Sequence, residues 1–199
     1  ERNPIQGTCT VKILLYSANF APEPTGIGKY SGEMVEWLTR QGHEVRVVAA
    51  PPYYPDWKVA KGYSWPPYRK ERRGGALVWR APLWVPRHPG GLKRVLHLMS
   101  FAITSAPVML RQAVWRPDVV VTVAPAFVCA PMGWLTARLC GAKAWLHVQD
   151  FEVDVAFGMG LLKGGWLKSM VLKAEQAMMR RFDVVSSISG RMVDRLLSK

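Results

Sequence analysis

Three residues near the amino terminus, Gly26, Gly28 and Lys29, have the types that cradle phosphate, and they adjoin a helical pattern. Glycine clears side-chain bulk from backbone amides, and a nearby lysine suits an anionic oxygen. Two well-defined motifs can be tested here. A triphosphate loop needs G-x-x-x-x-G-K-[ST], so that amides wrap the phosphates and the hydroxyl meets Mg²⁺. With Gly28-Lys29 as the GK pair, Glu23 occupies its first glycine position and Tyr30 its hydroxyl position. A dinucleotide fingerprint, G-x-G-x-x-G, opens directly after a strand. Here Gly26-Ile27-Gly28 lies a loop's length beyond Ser17, Ser31 stands where the third glycine belongs, and VVAAPP at the end of the second strand carries no acid. Both motifs fail. What stands is a loop, residues 18–25, that feeds a glycine-flanked helix start at the carboxyl edge of a sheet. Gly26, Ile27, Gly28 and Lys29 are candidate ligands for a diphosphate there. The same glycines would equally serve a chain that only has to turn.

A second concentration of chemistry is HVQDFEVD, residues 147–154. His147, Gln149, Asp150, Glu152 and Asp154 crowd the carboxyl end of an apolar strand, where open α/β sheets place their sites. A lone histidine in such a place is more often structural, but five such residues in eight positions are harder to dismiss. Alternation puts His147 and Gln149 on one side, with Asp150 beyond the regular strand. Cys9, Cys129 and Cys140 have no metal-ligand spacing and cannot all pair, which fits a reducing compartment. No histidine–cysteine–aspartate cluster has metal spacing, and no serine sits in a nucleophile elbow.

The third feature is basic. The 199 residues carry 27 Lys+Arg against 14 Asp+Glu, a formal net charge of +13. Between Lys61 and Val120 there are eleven bases and two acids, interleaved with Trp65, Trp79, Trp84 and Trp115. Arg69, Lys70, Arg72, Arg73, Trp84, Arg87, Lys93 and Arg94 are the candidate members of a membrane-facing surface, because bases mixed with tryptophan suit a lipid headgroup layer. A solvated loop over a core helix is the plainer alternative. A single-stranded nucleic-acid platform is a third, and no recognised nucleic-acid motif accompanies it.

The elements that must position these residues alternate. VKILLYS (11–17) reads as a buried strand, followed by a helix from about Gly28 to Gln41 closed by Gly42. HEVRVVAA (43–50) is a second strand. A loop-rich stretch, Tyr53 to Gly75, precedes a short strand ALVWRAP (76–82). Leu92 to Val114 is a long helix, interrupted or kinked near Pro107. RPDVVVTVAP (116–125), a helix 126–139, AKAWLHVQD (142–150), an amphipathic helix 166–181, DVVSSIS (183–189) and a final helix follow. Its longest apolar run, 95–110, is broken by polar residues and is too short for a confident membrane span. Near-continuous apolar strands separated by helices predict an α/β domain with a Rossmann-like parallel sheet covered on both faces. Residues 1–10 lack an apolar core and read as a disordered or appended segment.

The stretch VKILLYSANFAPEPTGIGKYSGEMVEWLTRQGHEVRVVAAPPYYP, followed in order by RPDVVVTVAPAF, AWLHVQDFEVD and FDVVSSISGRMVDRL, resembles the N-terminal domain of family-four retaining GT-B glycosyltransferases. It is particularly similar to the exopolysaccharide enzymes of colanic acid biosynthesis. The resemblance implies the N-terminal half of a GT-B fold, residues 11–199, on the acceptor side, with the C-terminal donor domain absent. It also implies a nucleoside-diphosphate sugar such as GDP-fucose as donor substrate, with no separate cofactor and no metal. The acceptor would be an undecaprenyl-diphosphate-linked oligosaccharide, and transfer would proceed with retention. The implied location is cytoplasmic and peripheral, at the anionic inner face of the plasma membrane, with no nucleic-acid partner. On this reading the isolated fragment is inactive, and Asp150, Gln149, His147 and Glu152 line the reacting sugar or acceptor. A lipid- or sugar-binding module without chemistry is the alternative.

Overall fold

A computed structural model describes residues 9–88, 90–124, 128–149 and 165–197. Of the segment 1–10, residues 1–8 lie outside that description. The strands are β1 (Lys12–Ser17), β2 (Glu44–Ala49), β3 (Arg69–Arg73), β4 (Ala76–Arg80), β5 (Val119–Ala124), β6 (Lys143–Val148) and β7 (Val184–Ser187). The helices are α1 (Gly26–Arg40), α2 (Gly91–Ala113), α3 (Ala130–Cys140), α4 (Gly165–Met179) and α5 (Gly190–Leu197). The strands form one seven-stranded sheet in the order β3-β4-β2-β1-β5-β6-β7.

All neighbouring strands run parallel except β3 with β4. The expected Rossmann-like parallel sheet is present, with one antiparallel strand added at its edge. The loop expected over 53–75 is corrected with it, since β3 lies inside that stretch. Its sequence, RKERR, has no apolar alternation to announce a strand. The pairing comes from the turn. Gly74 and Gly75 both take positive φ, 56° and 81°, which suits a two-residue hairpin whose twist matches its strands. A charged edge strand also leaves little for another chain to pair with.

Alternation along the strands divides the core. Leu14, Tyr16, Val48, Val120, Ala144, Leu146 and Val148 face one layer, which includes Leu98, Phe101 and Met109 of α2 and Ala130 and Ala137 of α3. Ile13, Leu15, Val45, Val47, Ala76, Val78, Val121 and Val123 face the other, against Val35 of α1. The expectation of helices on both faces therefore holds. β1 sits at the centre because it is buried along nearly its whole length. The chain leaves it towards β2 on one side and returns to β5 on the other. That reversal opens a crevice at the carboxyl ends of the central strands. Helix α2 runs through Pro107 without interruption, so the expected break is absent.

Candidate functional site

The segment leaving β1 turns towards the first helix with polar side chains that face inward. Asn19 and Glu23 are both buried. Asn19 Nδ2 donates to Glu23 Oε2 at 3.0 Å, and the backbone amides of Tyr53 and Tyr54 donate to Glu23 Oε1 at 3.2 and 3.1 Å. Tyr53 Oη closes the circuit by donating to Asn19 Oδ1 at 3.3 Å. The loop after β1 and the loop after β2 are thereby tied together through one carboxylate. Burial pushes the Glu23 carboxyl above the ordinary glutamate range, while the Asn19 and backbone donors and the Arg80 charge pull it partly back.

Glu23 also accounts for a glycine. A Cβ at Gly28 would lie 2.6 Å from the Glu23 Cβ, so Gly28 lets α1 approach the carboxylate. Gly26 is different. It has φ +59° and open space where a Cβ would stand. Thr25, the residue before the helix, is extended and makes no side-chain cap, and no acid occupies the first turn. The first amides of α1 therefore receive no side-chain partner from the N-cap residue. Lys29 instead lies on the exposed side of α1, 3.8 Å from Glu33 and 5.9 Å from the Tyr30 ring centre.

These residues border a cavity of about 170 Å³ lined by Asn19, Glu23, Gly26, Ile27, Tyr53, Tyr54, Trp57, Arg94, His97 and Leu98. Its aromatic wall is built from three rings: Tyr53 stands 4.7 Å from His97 and 5.8 Å from Trp57, and Trp57 stands 5.3 Å from His97, centre to centre. Trp57 holds φ at +50°, an outlier for a bulky side chain of the kind found at binding sites. His97 is fully buried. Its Nδ1 lies 2.5 Å from the Trp84 carbonyl oxygen, which can only accept, so Nδ1 carries the proton. Burial lowers its pKa, with the neighbouring Arg94 charge adding to the effect and the Trp84 bond opposing it. The ring is then neutral, and its buried Nε2, which has no protein partner, is an acceptor. The cavity offers aromatic faces and locked polar walls, with the buried His97 behind them, a combination suited to a hydroxyl-bearing ring.

His147 and Gln149 are placed apart from this cavity, because β5 separates β6 from β1. His147 Nδ1 lies 2.8 Å from Ser186 Oγ of β7, and Trp145 Nε1 donates to the same oxygen at 2.7 Å. Burial lowers the His147 pKa. Gln149 is half-buried just past the strand. Asp150 and Glu152 lie outside the described residues. Among the described residues no three histidine, cysteine, aspartate or glutamate side chains could hold a metal ion.

The basic set is split by the fold. Arg69 and Lys70 lie at the carboxyl end of β4 across the hairpin, whereas Arg72 and Arg73 lie at its amino end. Arg73 is half-buried and 3.8 Å from Glu71. Arg94 lines the cavity. Trp84, Arg87 and Lys93 are exposed. Arg80, which contributes to the count of basic residues, is buried to 1% exposure. It donates to Glu71 Oε1 through Nη2 at 2.7 Å and through Nε at 3.0 Å, to the Ala50 carbonyl at 2.8 Å, and to the Ala21 carbonyl. It is an internal brace for the crevice and no part of a surface. Sequence reasoning missed Asn19, Glu23, Tyr53, Trp57 and His97 as site residues. The signal that could have found them is the acid in the loop directly after a buried strand, together with the aromatic run following the next one.

Residues 25–199 match the family model described as a glycosyl transferase 4-like domain. Over 192 residues the chain is 49% identical to WcaI of Escherichia coli (strain K12), a protein named for glycosyl transfer in colanic acid biosynthesis. That alignment covers 95% of this chain and 47% of the relative, so the chain spans about half the relative's length. Among solved structures it is similar to the catalytic domain of starch synthase IV from Arabidopsis thaliana, bound to ADP and acarbose. The TM-score is 0.50 at 17% identity, over 72% of this chain and 35% of that one. At that identity the likeness shows a shared Rossmann-like fold and nothing finer.

Proposed function

The chain belongs to the glycosyl transferase 4-like family, and on that premise we propose that it is the acceptor-side half of a retaining GT-B glycosyltransferase that builds an exopolysaccharide of the colanic acid type. The donor is a nucleoside-diphosphate sugar such as GDP-fucose. The acceptor is an undecaprenyl-diphosphate-linked oligosaccharide at the anionic inner face of the plasma membrane. The observation that supports the acceptor role is the cavity beside α1, where the rings of Tyr53 and Trp57 meet walls held by Glu23.

In this reading a second Rossmann-like unit of the whole protein holds most of the nucleotide. The amides of Gly26 and Ile27 meet the diphosphate as the two halves close. They offset the charge that grows on the leaving phosphate as the glycosidic bond to it breaks. The acceptor hydroxyl attacks from the same face as the departing diphosphate, which retains the anomeric configuration without a covalent enzyme intermediate and without a metal. His147 and Gln149, which do not line that cavity, and Asp150 and Glu152 line the reacting sugar or the acceptor end that meets it, with Asp150 orienting the attacking hydroxyl. A fragment lacking the donor unit would be inactive.

The direct test is to supply the full-length protein with a panel of nucleoside-diphosphate sugars and a polyprenyl-diphosphate-linked acceptor. The expected result is one transferred sugar whose anomeric configuration by NMR matches the donor's. Absence of transfer with every donor, alongside retained lipid or sugar binding, would favour the non-catalytic module. The diphosphate role is tested by Gly26→Asn. Asparagine tolerates the left-handed backbone but puts a side chain in the anion's path. Transfer should fall by about 10²-fold with little change in melting temperature, and an unchanged rate would remove the diphosphate from this helix start.

A further inference from the structure

The side of the sheet that packs against α2 carries a row of positive charge outside the cavity beside α1. Lys12 of β1, Arg46 of β2 and Lys70 of β3 alternate along it with two indoles. Lys12 Nζ lies 5.9 Å from the Trp115 ring centre, and Arg46 Cζ lies 4.2 Å from Trp115 and 5.3 Å from Trp79. Lys70 Nζ lies 5.7 Å from Trp79. At such distances the ring quadrupole attracts the cation. An indole thus holds a base in place and leaves its charge in force, whereas a carboxylate would cancel it.

At its β3 end the row opens into a groove of about 470 Å³ between the hairpin and α2. Arg69, Lys70 and Arg111 line it beside Tyr68 and Trp79, and all three bases are exposed. Tyr68 Oη donates to the Thr104 carbonyl at 3.0 Å and ties the hairpin to the helix. Arg69 Nη1 donates to the Gly62 carbonyl at 2.5 Å, and its guanidinium lies 5.1 Å from the Tyr63 ring centre. Among the described residues no carboxylate lines the groove, and none of these three bases is in an ion pair. Strand alternation is the reason. Lys70 stands opposite Trp79, which packs on the α2 side. Glu71, the acid of RKERR, stands opposite Val78 of the other core layer, where it meets Arg80.

We propose that this groove binds a carboxylate-bearing sugar, an acidic residue of a saccharide chain. Its volume falls among small-ligand clefts, about 300–1,000 Å³. A guanidinium offers paired donors to a carboxylate, and an ammonium adds a point charge. The exposed Tyr68 ring gives a pyranose an apolar face. An inorganic anion would engage the bases alone, and a flat headgroup layer would meet the rim of the groove rather than its lining. The choice of a sugar rests on the glycosyltransferase reading above, while the anion site rests on the groove itself.

The test titrates the full-length protein by calorimetry at low salt. The probes are a hyaluronan tetrasaccharide, which carries glucuronates, and cellotetraose, neutral and of the same length. The uronate probe should bind about tenfold tighter than the neutral one. Lys70→Gln with Arg111→Gln should lower its affinity about tenfold, and Arg111→Gln alone about threefold. Arg111 is exposed on α2, so an unchanged melting curve in the single variant separates lost charge from a loosened hairpin. Equal affinity for both probes would overturn the proposal, as would wild-type affinity in the double variant. Inorganic phosphate competing as well as glucuronate at equal ionic strength would replace the sugar with a general anion. Binding to phosphatidylglycerol vesicles without binding to the tetrasaccharide would replace it with a lipid phosphate. Because binding is read without donor, its failure and a failure of transfer are distinguishable.

Discussion

The inner network and the outer stripe meet in α2, which mixes polar with apolar residues on its buried side and carries an apolar stripe on its exposed one. Facing the sheet are His97, Ser105 and Gln112, all buried. Ser105 Oγ donates to the Phe101 carbonyl and receives the Tyr16 hydroxyl at 2.6 Å. Gln112 Oε1 accepts from Arg46 Nη1 at 3.3 Å. Facing away are leucine, methionine, isoleucine and valine. Each of these buried side chains makes at least one hydrogen bond, and a polar group left wholly unmatched would be costly. Exposed apolar residues need no partner to be tolerated, but a stripe of them marks contact with something apolar. The inner region thus depends on geometry that a single substitution can spoil. The outer one depends on summed area.

The contrast can be broken most decisively at Arg80. Its guanidinium is one half of a buried ion pair with Glu71 and also braces two carbonyls. Arg80→Ala leaves Glu71 and both carbonyls short of a partner. It should cost about 3–5 kcal/mol, read as a fall in the urea midpoint at an unchanged m-value. A loss near that of a surface arginine would show that the brace is dispensable.

A smaller effect is expected at Glu23, and it depends on pH. Its folded-state pKa is raised by burial, so the fold holds its proton more tightly than the unfolded chain does. That contribution is fully present below the unfolded glutamate pKa and is lost as pH rises through the folded one. Glu23→Gln cannot titrate. The stability of wild type minus that of the variant should therefore decline as pH rises above about 4.3, and then level off. A difference that is flat from pH 4 to pH 8 would mean that Glu23 has no raised pKa.

The least effect on folding belongs to the outer stripe. Ile103→Glu should change stability by no more than about 0.5 kcal/mol. A loss of several kcal/mol would make Ile103 part of the core and remove the contrast.

Much of the architecture was legible beforehand, because apolar runs of strand length and stripes of helical period report burial directly. β1, β2, β5, β6 and the helix closed by Gly42 appear within a few residues of their expected limits. The glycine turn at Gly26 was legible as well, since a glycine pair before a helix is a local pattern. What stayed hidden depends on contacts between distant residues. Glu23 reads as a loop acid until Tyr53 and Tyr54, thirty residues on, supply its donors. His97 reads as a break in an apolar helix until Trp84 fixes its tautomer.

Sequence alone determined the alternation of strand and helix, the family resemblance and the excess of positive charge, since each is a property of composition or of short-range order. Tertiary structure decided where that charge goes. It built a strand from RKERR because a glycine hairpin brought those residues beside β4. It buried Arg80 because Glu71 and two carbonyls could meet it, and it turned α2 so that matched polar groups face inward. The reason is physical: periodicity says how often a side is buried, but only the folded chain brings together the partners that make burial of a polar group affordable.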